Sequence, residues 1–225
     1  MPINRPYGGP SELPSLIPLF PLEGVLLLPH SQLPLNVFEP RYVEMIDAAL
    51  AGGRLIGMIQ PAFDLAGRPL DGGKALAGVG CVGRITEIAE SGDGRYLLAL
   101  TGIARFRLVK ELEVGTPFRQ GEVDFEAFRD DFTPGFGAEA VDRGALLRTL
   151  ADYLDANELE ADWEGIKNAP NEALVNALAM MAPFGPREKQ ALLEAATLAA
   201  RAEMLIAVTQ MSMARTAGEG DTPLQ

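Results

Sequence analysis

The sequence predicts an α+β protein, a β-barrel or sandwich followed by an α-helical bundle. Three observations point there. From Leu16 to Phe125 short apolar runs alternate with Gly, Pro, Asp and Ser clusters. The segment DFEAFRDDFTPGFG, 124–137, interrupts that texture. Beyond it the chain turns to Ala, Leu and Glu with apolar residues recurring near every 3.6 positions. With 225 residues, 48% hydrophobic and 22% charged, the chain has the means to bury an ordinary core.

The β-like runs are, in order, LIPLFPL, VLLL, QLPLNVF, LIGMIQ, VGCVGRITEIAE, YLLALTG, IARFRLVKELE and FRQGEVDF. Seven or eight short strands at this spacing suit a barrel or sandwich. Leu26, Leu28, Leu35 and Val37 are candidates to fill it, and the prolines among them block pairing at sheet edges. SGDG at 91–94 is a hairpin turn, because glycine supplies the positive φ that a tight turn needs. One helix interrupts the strands. Glu39 caps it, Pro40 suits its first position, Val43, Ile46 and Leu50 follow at helical spacing, and Gly52-Gly53 stop it. Further helices are expected at 138–156, 170–182, 186–195 and 197–213, with Pro170 and Pro186 in first turns and Thr197 capping the last. The layout is a flexible arm at 1–13, a barrel domain at 14–125, a linker at 126–137, a bundle at 138–213 and a flexible tail at 214–225.

Charge and composition narrow the function. The net charge is −12, and residues 126–225 hold 17 acidic against 8 basic side chains. Such a surface repels phosphate backbones, so no nucleic-acid partner is expected. No apolar run approaches the ~20 residues of a membrane helix, and MPINRPYGGPSELPS lacks the apolar stretch of a secretory signal. No membrane association and a cytoplasmic location follow as expectations. A single cysteine, Cys81, excludes an intramolecular disulfide.

The motifs that resemble catalytic or cofactor signatures fail on context. GVGCVG, 78–83, matches GxGxxG but sits in strand-like sequence with no acidic residue about twenty positions on, so it reads as glycines where backbones pack closely. GRPLDGGKA, 67–75, has Arg68 and Ala75 where a phosphate loop needs Gly and Ser or Thr. His30, the only histidine, reads as a turn residue at a strand end. DYLDANELEADWE, 152–164, holds six carboxylates without the glycine turn of a calcium loop and reads as a solvated helix end anchored by Trp163. Met204, Met211 and Met213 read as core filling in the last helix. No cofactor, metal or catalytic residue is expected, and the chain is expected not to be an enzyme.

Three blocks resemble a known family. PLFPLEGVLLLPHSQLPLNVFEPRYVEMIDAAL, 18–50, is similar to the opening of the Lon protease N-terminal domain. DGRYLLALTGIARFRL, 93–108, resembles its second block, with a Gly-x-x-Arg-Phe signature at Gly102, Arg105 and Phe106. NEALVNALAMMAPFGPREKQALLEAATLAARAEML, 171–205, resembles its closing block, with Lys189, Gln190, Leu192, Leu193, Glu194 and Arg201 in order. The resemblance covers about 14–213. It implies a PUA-like β-barrel, or pseudo-barrel, N-terminal domain followed by a C-terminal α-helical bundle. It further implies recognition of unfolded or damaged polypeptide, with the ATPase and Ser–Lys protease modules of full Lon proteases lacking here.

The expected function is a non-catalytic polypeptide-binding module, an adaptor or regulator in protein quality control that meets a separate protease or ATPase, as a monomer or weak homodimer. Pro34, Phe38 and Tyr42 are the expected polypeptide-binding strip, aided by strand addition at a sheet edge. Pro40 is expected to start the helix, and Glu39 and Arg41 to brace the barrel by hydrogen bonds. The alternative is a small anionic ligand, or an enzyme, in a cleft between barrel and helices, held by Arg41, Tyr42, Arg105 and Arg107.

Overall fold

The structure, a computed structural model, describes residues 4–64 and 66–219, without the side chains of 216–219. Two compact units divide it: residues to Pro134 together with Pro183–Leu193, and Gly135–Ala182 together with the chain from Glu194. The expected helical stretch 138–213 therefore contributes to both units.

In the first unit six strands form one mixed sheet: β1 (Leu16–Pro21), β2 (Gln32–Val37), β3 (Leu55–Ile59), β4 (Val79–Glu90), β5 (Tyr96–Glu111) and β6 (Arg119–Asp124). Their order is β2-β5-β4-β3-β1-β6, and β5 also pairs β6, which closes five strands into a barrel and leaves β2 as an appended edge. Sixteen residues let β5 serve both roles: its first part pairs β2 and its last part pairs β6. β1 runs parallel to β3 and antiparallel to β6. Two register shifts in β4 against β5 bend the sheet toward closure.

Eight β-like runs thus give six strands. YLLALTG and IARFRLVKELE merge into β5, because nothing in Thr101-Gly102-Ile103 breaks an extended backbone. VLLL forms no strand, although Leu26, Leu27 and Leu28 are all buried. The SGDG turn joins β4 to β5 as expected.

The barrel interior is filled by Ile17, Leu19, Leu55, Ile59, Val82, Phe106, Val123 and Phe125. Phe106 is fully buried and meets the Phe125 ring edge-on at 6.3 Å. GVGCVG lies in β4, where a Cβ on Gly80 would sit 2.4 Å from the Phe106 ring and 2.5 Å from the Met58 carbonyl oxygen. That glycine is spent on close packing.

Helix α1 (Pro40–Ala51) buries Tyr42, Met45, Ile46 and Ala49, one face at helical spacing. Residues 126–132, expected as linker, form 3₁₀ turns in the barrel unit. Of the expected arm, Pro10–Glu12 forms a 3₁₀ turn and Tyr7 lies against Arg84, while residues 1–3 fall outside the described residues. Helix α5 (Pro186–Glu194) returns to this unit. Gln60, buried on β3's flank, donates to the Pro186 carbonyl at 3.0 Å and to Gln190 Oε1 at 3.1 Å, and Gln190 donates to the Val79 carbonyl at 3.0 Å.

The second unit contains α2 (Arg143–Ala156), α3 (Trp163–Asn168), α4 (Asn171–Met181) and α6 (Leu198–Glu219). Asp142 and Asp162 accept from the backbone N–H of Ala145 and Gly165, so α2 starts at 143, after a 3₁₀ turn, and α3 is a helix that the carboxylate-rich sequence concealed. Thr197 accepts from Ala200 N–H at 3.1 Å, the expected cap. Leu146, Leu174, Val175, Ala179, Ala202 and Leu205 form the core, crossed by a buried Arg201–Asn176 hydrogen bond of 3.0 Å. Trp163 and Met204 are half-buried, whereas Met211 is exposed, so the methionines are not uniformly core. Residues 214–219, expected as tail, continue α6, and 220–225 lie outside the described residues.

Candidate functional site

The outer face of β2 and β5 carries an exposed apolar strip. In β2 the residues Gln32, Pro34 and Asn36 face outward, and Leu33, Leu35 and Val37 turn inward. The register sets Pro34 opposite Ala99 and Asn36 opposite Leu97. Phe38, the next even position, is 62% exposed and Leu97 is 50% exposed. Diagonal neighbours across an antiparallel pair lie roughly 7–8 Å apart, within reach of side chains of this length. Pro34, Phe38 and Leu97 therefore form one apolar strip. Phe38 was legible as an apolar residue just before a helix cap; Leu97 was missed because YLLALTG shows no alternation to separate its outward leucine from the buried Leu98 and Leu100.

Backbone geometry decides how this strip can be used. Gly102 N–H donates to the Ser31 carbonyl at 2.8 Å, which fixes the odd residues of β2 as those bonded to β5. Gln32, Pro34 and Asn36 then direct their backbone groups to the open edge. Pro34 has no N–H, so an added strand would lose its central bond. Side-chain contact, rather than strand addition, is what this surface offers.

Tyr42 does not belong to the strip. It is 7% exposed, its ring 4.3 Å from that of Phe20 and capped by the Arg41 guanidinium at 4.4 Å. Burial raises the phenol's pKa above its ordinary 10.0. Position 42 is the third residue of α1, and its helical face turns it inward. Glu39 does not cap α1 with its side chain. Its carboxylate accepts from Arg41 Nε at 3.0 Å, and its carbonyl accepts the first helix N–H groups. Pro40 takes the first helical position as expected.

The Gly-x-x-Arg-Phe residues are structural. A Cβ on Gly102 would lie 2.1 Å from the Leu28 carbonyl oxygen, so the VLLL segment packs directly on β5 there. Arg105 is buried with Asp131, which accepts from its backbone N–H, Nε and Nη2 at 2.8–2.9 Å. Its Nη1 donates to the Leu193 carbonyl, and the Phe128 ring stacks on the guanidinium at 4.6 Å. Arg107 is exposed and lies 5.8 Å from the same ring. Of the four residues expected around an anionic ligand, Arg41 and Arg105 are committed to carboxylates and Tyr42 is buried. Lys189 is buried on α5, and desolvation lowers its pKa below 10.5.

A mixed barrel with an edge strand and a helical second unit define an α+β domain, whose sheet carries an exposed apolar strip. Among the described residues no helix is long and apolar enough to cross a membrane. The family model for the ATP-dependent protease La (LON) substrate-binding domain matches residues 16–210, and the chain belongs to that family. Lon protease 2 of Myxococcus xanthus is 28% identical over 199 residues, which cover 87% of this chain and 23% of that protein. Lon protease 2 of Sorangium cellulosum is 27% identical over 205 residues, 88% of this chain and 25% of that one. The chain thus spans about a quarter of the length of these relatives. Among solved structures, a Lon N-terminal domain protein from Xanthomonas campestris shares 27% identity at a TM-score of 0.55, covering 85% of this chain and 97% of that one. The N-terminal domain of Mycobacterium avium complex Lon protease has a TM-score of 0.61 over 87% and 98% of the two chains, and at 19% identity that likeness concerns the fold alone.

Proposed function

We propose that this domain binds unfolded or damaged polypeptide without catalysing a reaction on it. The observation that carries this reading is the apolar strip of Pro34, Phe38 and Leu97 on the barrel of a substrate-binding-domain family member. Extended chains expose apolar side chains that folded proteins hide, and a strip without a usable backbone edge reads those side chains irrespective of sequence. In the fuller form of the proposal the domain works in the cytoplasm as an adaptor or regulator of protein quality control. It acts as a monomer or weak homodimer and passes polypeptide to a separate protease or ATPase.

The test is fluorescence anisotropy of a labelled, permanently unfolded polypeptide, with a folded control of similar charge. Saturable binding of the unfolded form in the micromolar range is expected. Burying a Phe or Leu side chain fully is worth about 1.5–3 kcal/mol. Half of that at each of two positions gives about tenfold or more, so Phe38→Ser with Leu97→Ser should weaken binding by at least that factor. Unchanged affinity in the double variant would remove the strip from the proposal, and no preference for the unfolded form would remove the proposal itself.

A further inference from the structure

Arg84 on β4 is 8% exposed, yet no carboxylate among the described residues lies in ion-pair range of it. Its Nη1 donates to the Arg5 carbonyl at 2.7 Å, and its guanidinium stacks 4.3 Å from the Tyr7 ring centroid. Nε and Nη2 donate to no described residue. A buried cation without a counter-charge is costly, so the position is suited to an anion that arrives from outside.

Two clefts meet at this side chain, sharing Tyr7, Pro6 and Arg84. One, of about 280 Å³, is apolar and includes Ile103, Phe132 and Pro134. The other, of about 310 Å³, is polar and includes Arg5 and Arg54, with Glu12 as its only acidic residue. The first cleft continues the apolar strip. Leu97, Ala99, Thr101 and Ile103 share the outer side of β5, and Arg84 pairs in register with Thr101. From Leu97 to Thr101 is about 13 Å at the ~3.3 Å rise of an extended strand. A chain lying along that row reaches Arg84 some four residues after Leu97.

We propose that an extended polypeptide lies along the outer row of β5 and ends at Arg84, its C-terminal carboxylate on the guanidinium and its apolar last side chain in the adjoining cleft. This rests on polypeptide binding by the strip and adds a direction and a terminus to it. Arg5 and Arg54 supply further positive potential, in a chain whose net charge of −12 otherwise repels a carboxylate.

The test compares a labelled hexapeptide ending in Phe-Ser-Gly-Leu with the same peptide carrying a C-terminal amide, using the full chain and anisotropy. The free acid should bind about tenfold more tightly, the usual scale for hydrogen bonds to a charged group, and the difference should shrink in high salt. Arg84→Met should abolish the difference between acid and amide. Should that variant fail to fold, Arg5→Ala at an exposed position should weaken the acid alone by a few-fold. Equal affinity of acid and amide, with unfolded polypeptide still bound, would overturn this inference and leave the broader function standing. Binding of neither would overturn both. Displacement by N-acetyl-leucine as effective as by the hexapeptide would assign the site to small acids and overturn the polypeptide reading.

Discussion

Removing the Asp131 carboxylate should destabilise the barrel unit more than any other single change at its surface-facing loops. Asp131 accepts three hydrogen bonds from Arg105, and both side chains are more than nine-tenths buried. Asp131→Ala takes the carboxylate away from a buried guanidinium whose other contacts include the Leu193 carbonyl and the Phe128 ring. Deleting one partner of a buried pair costs about 3–5 kcal/mol, because the remaining charge cannot regain water. At roughly 2–4 °C per kcal/mol for a chain of this size, the melting temperature should fall by about 6–20 °C. Replacing both partners, Arg105→Met with Asp131→Leu, should recover most of the loss, since an apolar pair of similar volume needs no compensation. Urea unfolding followed by circular dichroism, which reports both units, and by the fluorescence of Trp163, which lies in the second, compares the parent chain, Asp131→Ala and the double variant. A cost below 1 kcal/mol for Asp131→Ala, or a double variant no better than the single one, would refute the reasoning.

Gly102→Ala brings a Cβ within 2.1 Å of the Leu28 carbonyl oxygen, where only backbone can give way. A loss of about 1–3 kcal/mol or more is expected in thermal unfolding, and a change within 0.5 kcal/mol would contradict it. Tyr42 provides a pH test. Its folded pKa is raised by burial, so its contribution is complete below 10.0 and is lost as the pH climbs through the folded value. Tyr42→Phe should therefore lose less stability than the parent chain above pH 10, measured by urea midpoints against pH; parallel curves would show that the phenol is not desolvated. Tyr96, whose phenol donates to Asp47 at 2.8 Å and also titrates high, is present in both proteins and cancels.

Much of the fold was legible because apolar period reports which faces are covered. The alternation in QLPLNV assigns its outward and inward residues, and Pro40, Thr197 and the SGDG turn mark boundaries through local stereochemistry. Periodicity is silent where a segment is buried on all sides. VLLL packs without pairing, so its composition resembles that of a strand. Asp162, which caps α3, was read as part of a charge run, because a carboxylate that binds a helix N–H looks in sequence like one that binds water. On the candidate face Pro34 and Phe38 were read as exposed from their place beside a helix start, and they are, while Tyr42 was assigned to the outer face of α1 and lies on the inner one. Leu97 and Arg84 were out of reach: the first depends on strand register and the second on which loop covers a β4 side chain.

The return of α5 to the barrel unit has a temporal side. On a ribosome all six strands are complete by Asp124, but Gln190 and the Leu193 carbonyl, partners of Gln60 and Arg105, are made only after residues 135–182. At about 5–20 residues per second, roughly 3–12 s separate Pro134 from Leu193. For that interval the nascent barrel holds a polar glutamine and a charged arginine short of acceptors that only the later chain brings. α5 is thus the last-made piece of the first-made unit, and a stall before Gln190 would leave a barrel whose strands are complete but whose Gln60 and Arg105 lack these partners, for the quality-control machinery to judge.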